Sequence, residues 1–163
     1  MWIPSVTVFL FLAITTRVSG ENCPSGFMRH FDFCYSLIRF TAIWADAAVY
    51  CQAIGSHLAY VETAAEQTFL EGYLKRESST IHSSGVWLGG LTYLTENEWQ
   101  WRFKGGRITN TWWSPGNPDH DGDQFCLMLF KSQAFKWNDA GCSYGHYFLC
   151  ELELEDAPNI TGK

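Results

Sequence analysis

Six cysteines, all beyond residue 20, constrain this 163-residue chain more than any other feature. They follow an apolar run over residues 6–14 that has the length of a secretory signal and is too short to span a bilayer. Val18-Ser19-Gly20 supplies small residues for cleavage before Glu21. Residues 1–20 are therefore expected to be a signal peptide, and the mature protein to be secreted and extracellular. No Lys or Arg precedes the apolar run, so a membrane anchor is the competing reading. An even cysteine count in an exported chain implies disulfides. Sequence alone does not choose among the pairings. Spacing suggests Cys23–Cys34 as a small clip, Cys126–Cys142 as a local staple and Cys51–Cys150 as a tie between distant parts.

The remaining length suits one domain with its own core, and the chain shows no internal repeat. The expected organisation is a signal peptide at 1–20, a domain at 21–152 and an acidic flexible tail at 153–163. Asn159-Ile160-Thr161 in that tail is a glycosylation sequon. Removing Arg17 with the signal takes the formal charge from −6 to −7. That sign argues against nucleic acid or membrane insertion and is compatible with cation binding.

Residues 41–54 read as a helix with Trp44, Ala47, Ala48 and Cys51 on one face, Thr41 as its cap and Gly55 as its end. Thr63-Ala64-Ala65-Glu66 is a capping box that opens a second helix through Phe69, Leu70, Tyr73 and Leu74. Residues 23–35 read as a hairpin turning at Gly26. Short strands are expected at 57–61, 86–91, 99–103, 125–130, 134–137 and 147–152. Residues 109–124 have little periodicity, and a loop that long is usually functional.

Two polar clusters carry the chemistry. The first is Trp113-Ser114-Pro115-Gly116-Asn117-Pro118-Asp119 with Asp121 and Asp123 behind it; the second is Trp137-Asn138-Asp139. Their amide and carboxylate oxygens suit a hard cation such as Ca2+. The acidic run alone resembles an EF-hand loop, but Gln124 stands where the turn glycine belongs and Phe130 where the bidentate glutamate belongs. The bland reading of such a run is a solvated loop. Asn138 and Asp139 directly after a buried-type tryptophan favour the cation. Gly141-Cys142-Ser143-Tyr144-Gly145 matches a hydrolase nucleophile elbow, yet lacks the strand before and helix after that the motif needs. No catalytic residue, and no enzyme, is expected. The histidines have no zinc spacing and are read as surface or structural. The tryptophans are read as core, with Trp112 and Trp113 the pair that would otherwise face a ligand.

In order along the chain, Cys23 and Cys34, Cys51 on a helix, Val86-Trp87-Leu88-Gly89-Gly90-Leu91, residues 113–119, Cys126, Trp137-Asn138-Asp139, Cys142 and Phe148-Leu149-Cys150-Glu151 resemble the C-type lectin-like domain family. The likeness covers residues 23–151, and its general style is that of short secreted single-domain lectins, including the perlucin group. It implies an α+β fold with two helices, two small antiparallel sheets, a long ligand loop and the three disulfides that spacing suggested.

The resemblance also implies a calcium-dependent sugar-binding protein whose partners are glycans or glycoproteins, with a possible homo-oligomer. Its calcium ligands would be Asn117, Asp119, Asn138 and Asp139, which also bind the sugar, with Pro118 in the cis form. The chain departs from the family pattern in three ways. The Asn-Pro-Asp triplet has the amide-first order associated with galactose, but with a shorter amide. The acidic ligand expected two residues before Cys126 is Gln124, with Asp123 beside it, so either of these would complete the metal set. No aromatic follows Asp119 closely. Phe125 stands where members with a second, structural calcium carry an acid. The alternative function is a calcium-independent lectin-like domain that binds a protein or mineral surface.

Overall fold

The computed structural model describes residues 22–92, 98–119 and 121–154. The signal segment and the Asn159 sequon lie outside the described residues. Among those described, no helix is long and apolar enough to cross a membrane. At the end of the described residues, the last strand includes Glu153 and the Leu154 N–H donates to the Asp32 carbonyl at 2.7 Å.

Strands β1 (Met28–His30) and β2 (Phe33–Ala42) form the N-terminal hairpin. Its turn is at Phe31 and Asp32, with Phe31 at φ 51°, and not at Gly26. Gly26, at φ 86°, makes an earlier turn closed by the Phe27 N–H on the Pro24 carbonyl. Helix α1 (Trp44–Ala53) buries the expected face of Trp44, Ala47, Ala48 and Cys51. It starts later than the periodicity suggests. Thr41 and Ala42 continue β2, and the residue at the cap is Ile43, which makes no side-chain bond. The cap that Thr41 was expected to provide comes instead from the chain: the Trp44 N–H donates to the Cys142 carbonyl at 3.0 Å. Helix α2 (Ala64–Glu77) has the capping box formed in both directions between Thr63 and Glu66.

The last strand, β8 (His146–Glu153), is the spine. It pairs antiparallel with β2 and with the two-residue β3 (His57–Leu58), and parallel with β4 (Gly85–Leu91) through Val86↔Tyr147 and Trp87↔Phe148. Strand β4 then pairs antiparallel with β5 (Gln100–Trp101) and β6 (Cys126–Phe130), and β6 with β7 (Lys136–Ala140). The short parallel junction thus joins two antiparallel groups into one mixed sheet of order β1-β2-β8-β4-β6-β7. All seven residues of β4 are buried, as a strand covered on both faces requires. Gly89 is needed there: a Cβ would stand 2.6 Å from Tyr60 Cε1 and 2.7 Å from the Leu58 carbonyl oxygen.

The disulfides are Cys23–Cys34, Cys51–Cys150 and Cys126–Cys142. On the chain-entropy account, the 16-residue staple stabilises the fold by about 3 kcal/mol and the 99-residue tie by nearer ~5 kcal/mol. One core packs α2 against the sheet; the other packs α1 around Trp87, Met128 and Phe148.

Candidate cation and ligand site

The long loop is tied to β7 by tryptophans. Trp112, Trp113 and Trp101 meet Trp137 edge-on at 5.2, 5.6 and 5.9 Å between ring centroids. Trp137 is fully buried, and its indole N–H donates to Gln67 Oε1 at 2.8 Å. Trp112 and Trp113 are therefore partly buried core residues rather than a ligand face. Backbone bonds run alongside: the Trp137 N–H reaches the Trp112 carbonyl at 2.9 Å, and the Ser114 N–H reaches the Trp137 carbonyl at 2.8 Å.

Ser114 is the hinge between this anchor and the polar cluster. The residue is 1% exposed, and its hydroxyl donates to the Trp137 carbonyl at 2.9 Å and accepts from Asn117 Nδ2 at 2.8 Å. The Asn117 side chain is thus oriented, with its amide oxygen as the end not used in that bond. The Asn117–Pro118 peptide is cis. The next residue stitches the two clusters together: the Asp119 N–H donates to Asp139 Oδ1 at 3.3 Å. Asp139 itself is fully buried on β7. Asn138 Nδ2 donates to the Asp139 carbonyl oxygen, and turning that amide over would present Oδ1 at the same spot.

Asp121 and Gln124 both close on Asp119. The Asp121 N–H and Gln124 Nε2 donate to its Oδ1 at 3.1 and 3.0 Å. Asp123 goes elsewhere, with its Oδ1 3.2 Å from where a Cβ on Gly141 would stand. Asp119, Asp139, Asn138 and Gln124 are thus linked through hydrogen bonds, Asn117 is held separately by Ser114, and Asp123 faces Gly141. Among the described residues, no group of three or more His, Cys, Asp or Glu is placed to hold a metal ion. The candidate set differs from such a group in kind: it has two carboxylates, amides and a backbone carbonyl, all oxygen donors. That donor chemistry fits a hard cation of the calcium type and does not fit zinc.

The profile "Lectin C-type domain" matches residues 41–152. The chain belongs to the C-type lectin domain family. It is 35% identical over 134 residues to perlucin of Haliotis laevigata, covering 81% of this chain and 84% of that one. It is 31% identical to the galactose-specific lectin nattectin of Thalassophryne nattereri, covering 93% and 98%. Among solved structures it is similar to the mouse scavenger receptor C-type lectin carbohydrate-recognition domain, with a TM-score of 0.70 and 27% identity over 82% of this chain and 100% of that one.

Within this C-type lectin domain, Ser143 sits on an exposed turn beside the disulfide-bonded Cys142, and the chain runs on into β8 rather than a helix. The elbow pattern at 141–145 thus lacks the nucleophile geometry. Three residues that matter escaped the sequence reading. Ser114 gives no sign of its burial except its place next to Trp113. His146, 7% exposed, packs edge-on to Trp87 at 4.6 Å, and burial holds its imidazole below the ordinary histidine range. Glu151 forms part of a second acidic region.

That second region lies toward the other end of β8. Glu151 is 3% exposed, and burial pushes its carboxyl up to about 8, with nearby Glu66 and Glu62 adding to the effect. Its Oε2 accepts the Tyr60 N–H at 2.7 Å. Glu66 Oε2 accepts the N–H groups of Glu62 and Thr63, and Glu62 pairs with Lys104.

Proposed function

We propose that the protein is a secreted, calcium-dependent carbohydrate-binding lectin in which Asn117, Asp119, Asn138 and Asp139 hold the ion and contact the sugar. The observation that carries this reading is the bond from the Asp119 backbone to Asp139 Oδ1, which joins the two polar segments at one corner. Bound there, calcium would supply open coordination positions for neighbouring sugar hydroxyls, since it accepts six to eight oxygens. The protein's own part is orientation: amide nitrogens donate to the hydroxyls and carboxylates accept from them, and their order selects the hydroxyl geometry. Gln124, already against Asp119, completes the ligand set through its amide oxygen in preference to Asp123.

The amide-first triplet Asn117-Pro118-Asp119 favours galactose-type sugars, and the named specificity of nattectin agrees with that lean. Calcium affinity is expected near 0.1–1 mM, as for other extracellular modules (about 10⁻⁴–10⁻³ M). A single site is then weak, and glycan-coated surfaces are engaged through several copies. A glycan array read with calcium and with EDTA tests the reading: galactose-terminated glycans should bind in calcium alone.

A second reading is a calcium-independent domain that binds a protein or mineral surface. One observation favours it: the Gln124 amide nitrogen occupies Asp119 Oδ1 where the family places an acid. Binding to such a surface that persists in EDTA, with no glycan binding in calcium, would select it.

A further inference from the structure

We infer that the outer face of helix α1 is a dimer interface, at which two copies of this chain pair their α1 helices antiparallel about a twofold axis at Val49. The inference stands on surface chemistry and does not depend on the sugar-binding reading. A helix on the surface of a domain buries one apolar stripe and turns polar side chains to water. Helix α1 buries Trp44, Ala47, Ala48 and Cys51, yet its outer face exposes Ala45, Val49 and Ala53, one helical row at i, i+4 and i+8. Val49, in the middle of that row, is 64% exposed. The polar residues of the outer face are Asp46, Tyr50 and Gln52, and Asp46 is the only charged residue from 40 to 55. Such a helix has the composition of one covered on both sides.

The apolar surface continues past the row. Ile43 and Ile54 are exposed at its two ends, and Phe40 is exposed beside it, edge-on to Tyr50 at 5.1 Å. A contiguous apolar patch of this kind marks an interaction site. At the start of α1 the surface dips into a groove of about 440 Å³, lined by Ile43, Trp44, Leu91, Phe125 and the Cys126–Cys142 disulfide. None of the residues proposed for the ion or the sugar lines this groove.

A second copy fits this face because the face is self-complementary, as a twofold contact requires. With Val49 on the axis, the valine meets its own copy, and the small Ala45 and Ala53 on either side let the two helices approach closely. Antiparallel pairing about residue 49 sets residue 54 of one copy level with residue 44 of the other. The exposed Ile54 at the end of one helix thus comes to the apolar groove at the start of the other, and the exchange is reciprocal. Charge agrees with this arrangement. The chain carries a net −6, so copies repel in most orientations, whereas this face brings a single acid from each. The antiparallel sense keeps the two Asp46 side chains about 9 Å apart along the helix axis; a parallel pair would set them opposite each other.

The test is analytical ultracentrifugation of the purified protein in EDTA, which removes any association through the cation site. Protein concentration is varied from roughly 1 to 500 µM, the range in which small interfaces associate. The parent protein should pass from monomer to dimer mass across that range. Val49→Glu, at an exposed helical position, should keep the melting temperature and weaken self-association by on the order of a hundredfold, since like charges then meet on the axis. Val49→Lys should do the same. An equal mixture of the two variants should recover dimer mass, because a twofold contact at residue 49 opposes Glu to Lys. Ile54→Ala, away from the axis, should weaken dimerisation about tenfold. A parent protein that stays monomeric throughout, a Val49→Glu protein that dimerises as the parent does, or a mixture that stays monomeric would each overturn the interface and leave the candidate cation site standing.

Discussion

The protein carries two acid-rich regions near the two ends of β8, and they are built in opposite ways. Around Glu151 the carboxylates are taken up by partners within the fold, and Glu66 and Glu151 are buried. Glu66 is spent on backbone N–H groups at the start of α2, Glu62 on Lys104, and Glu151 on Tyr60. Burial there keeps Glu151 protonated at neutral pH. Around Asp119 the acids sit on a loop whose tie to the core is carried by others, Ser114 and the tryptophans. Asp119 itself remains exposed. A count of acidic residues does not distinguish the two regions. What distinguishes them is where the bonds of the carboxylates go: Glu66 and Glu151 close buried backbone of the core, whereas Asp119 takes its bonds within its own loop and stays exposed.

The contrast can be broken in order of expected effect. Asp119→Ala should reduce sugar affinity by on the order of a hundredfold or more, because a ligand and a hydroxyl partner are lost together. Its melting temperature should stay near that of the parent, as read by calorimetry on the same sample. Glu151→Gln should do the reverse, leaving sugar binding alone and changing stability with pH. The sign follows from the raised value. The native protein keeps a proton on Glu151 that the unfolded chain releases above the ordinary carboxylate value of 4.5. Stability from this group is therefore greatest in acid, falls as pH rises toward about 8, and is flat beyond. Unfolding titrations from pH 5 to 9 should show that slope, on the order of a few kcal/mol in all, and Glu151→Gln should flatten it. An equal slope in both proteins would remove the buried acid from the account.

Smaller effects test the anchor. Gln67→Ala strands the buried Trp137 indole N–H and should lower stability by about 1–3 kcal/mol. Ser114→Ala removes the buried hydroxyl that orients Asn117 and should lower stability by about 1 kcal/mol. Ser114→Ala should also weaken calcium binding several-fold; unaltered calcium affinity would reduce Ser114 to a packing residue.

Much of this was legible in the sequence, for physical reasons that differ by element. The buried face of α1 and the capping box of α2 follow from spacing and from side chains that bond their own backbone. The start of α1 was not legible, because its first N–H is satisfied by Cys142, which lies about a hundred residues away in sequence. The hairpin turn was misjudged because Gly26 is the obvious turn former, while Phe31 adopts a positive φ that no propensity favours. The merging of two sheets rests on two residue pairs between β4 and β8, a long-range junction without a local signature. At the candidate site, residue type singled out Asn117, Asp119, Asn138 and Asp139, and the fold joins the last three through hydrogen bonds. Gln124 and Asp123 did not, since neighbours in sequence point to Asp119 and to Gly141 respectively. Ser114 was hidden because burial of a serine is a property of the folded chain.

On the proposed function, the corner joining Asn117–Asp119 to Asn138–Asp139 holds calcium and presents it to a sugar. The most direct measurement is binding of the purified protein to an immobilised galactose matrix across a calcium titration, with EDTA elution and with Asp119→Ala alongside. The account predicts half-saturation near 0.1–1 mM calcium (about 10⁻⁴–10⁻³ M), complete release in EDTA and no retention of Asp119→Ala. Retention in EDTA, or an Asp119→Ala protein that binds as the parent does, would contradict it.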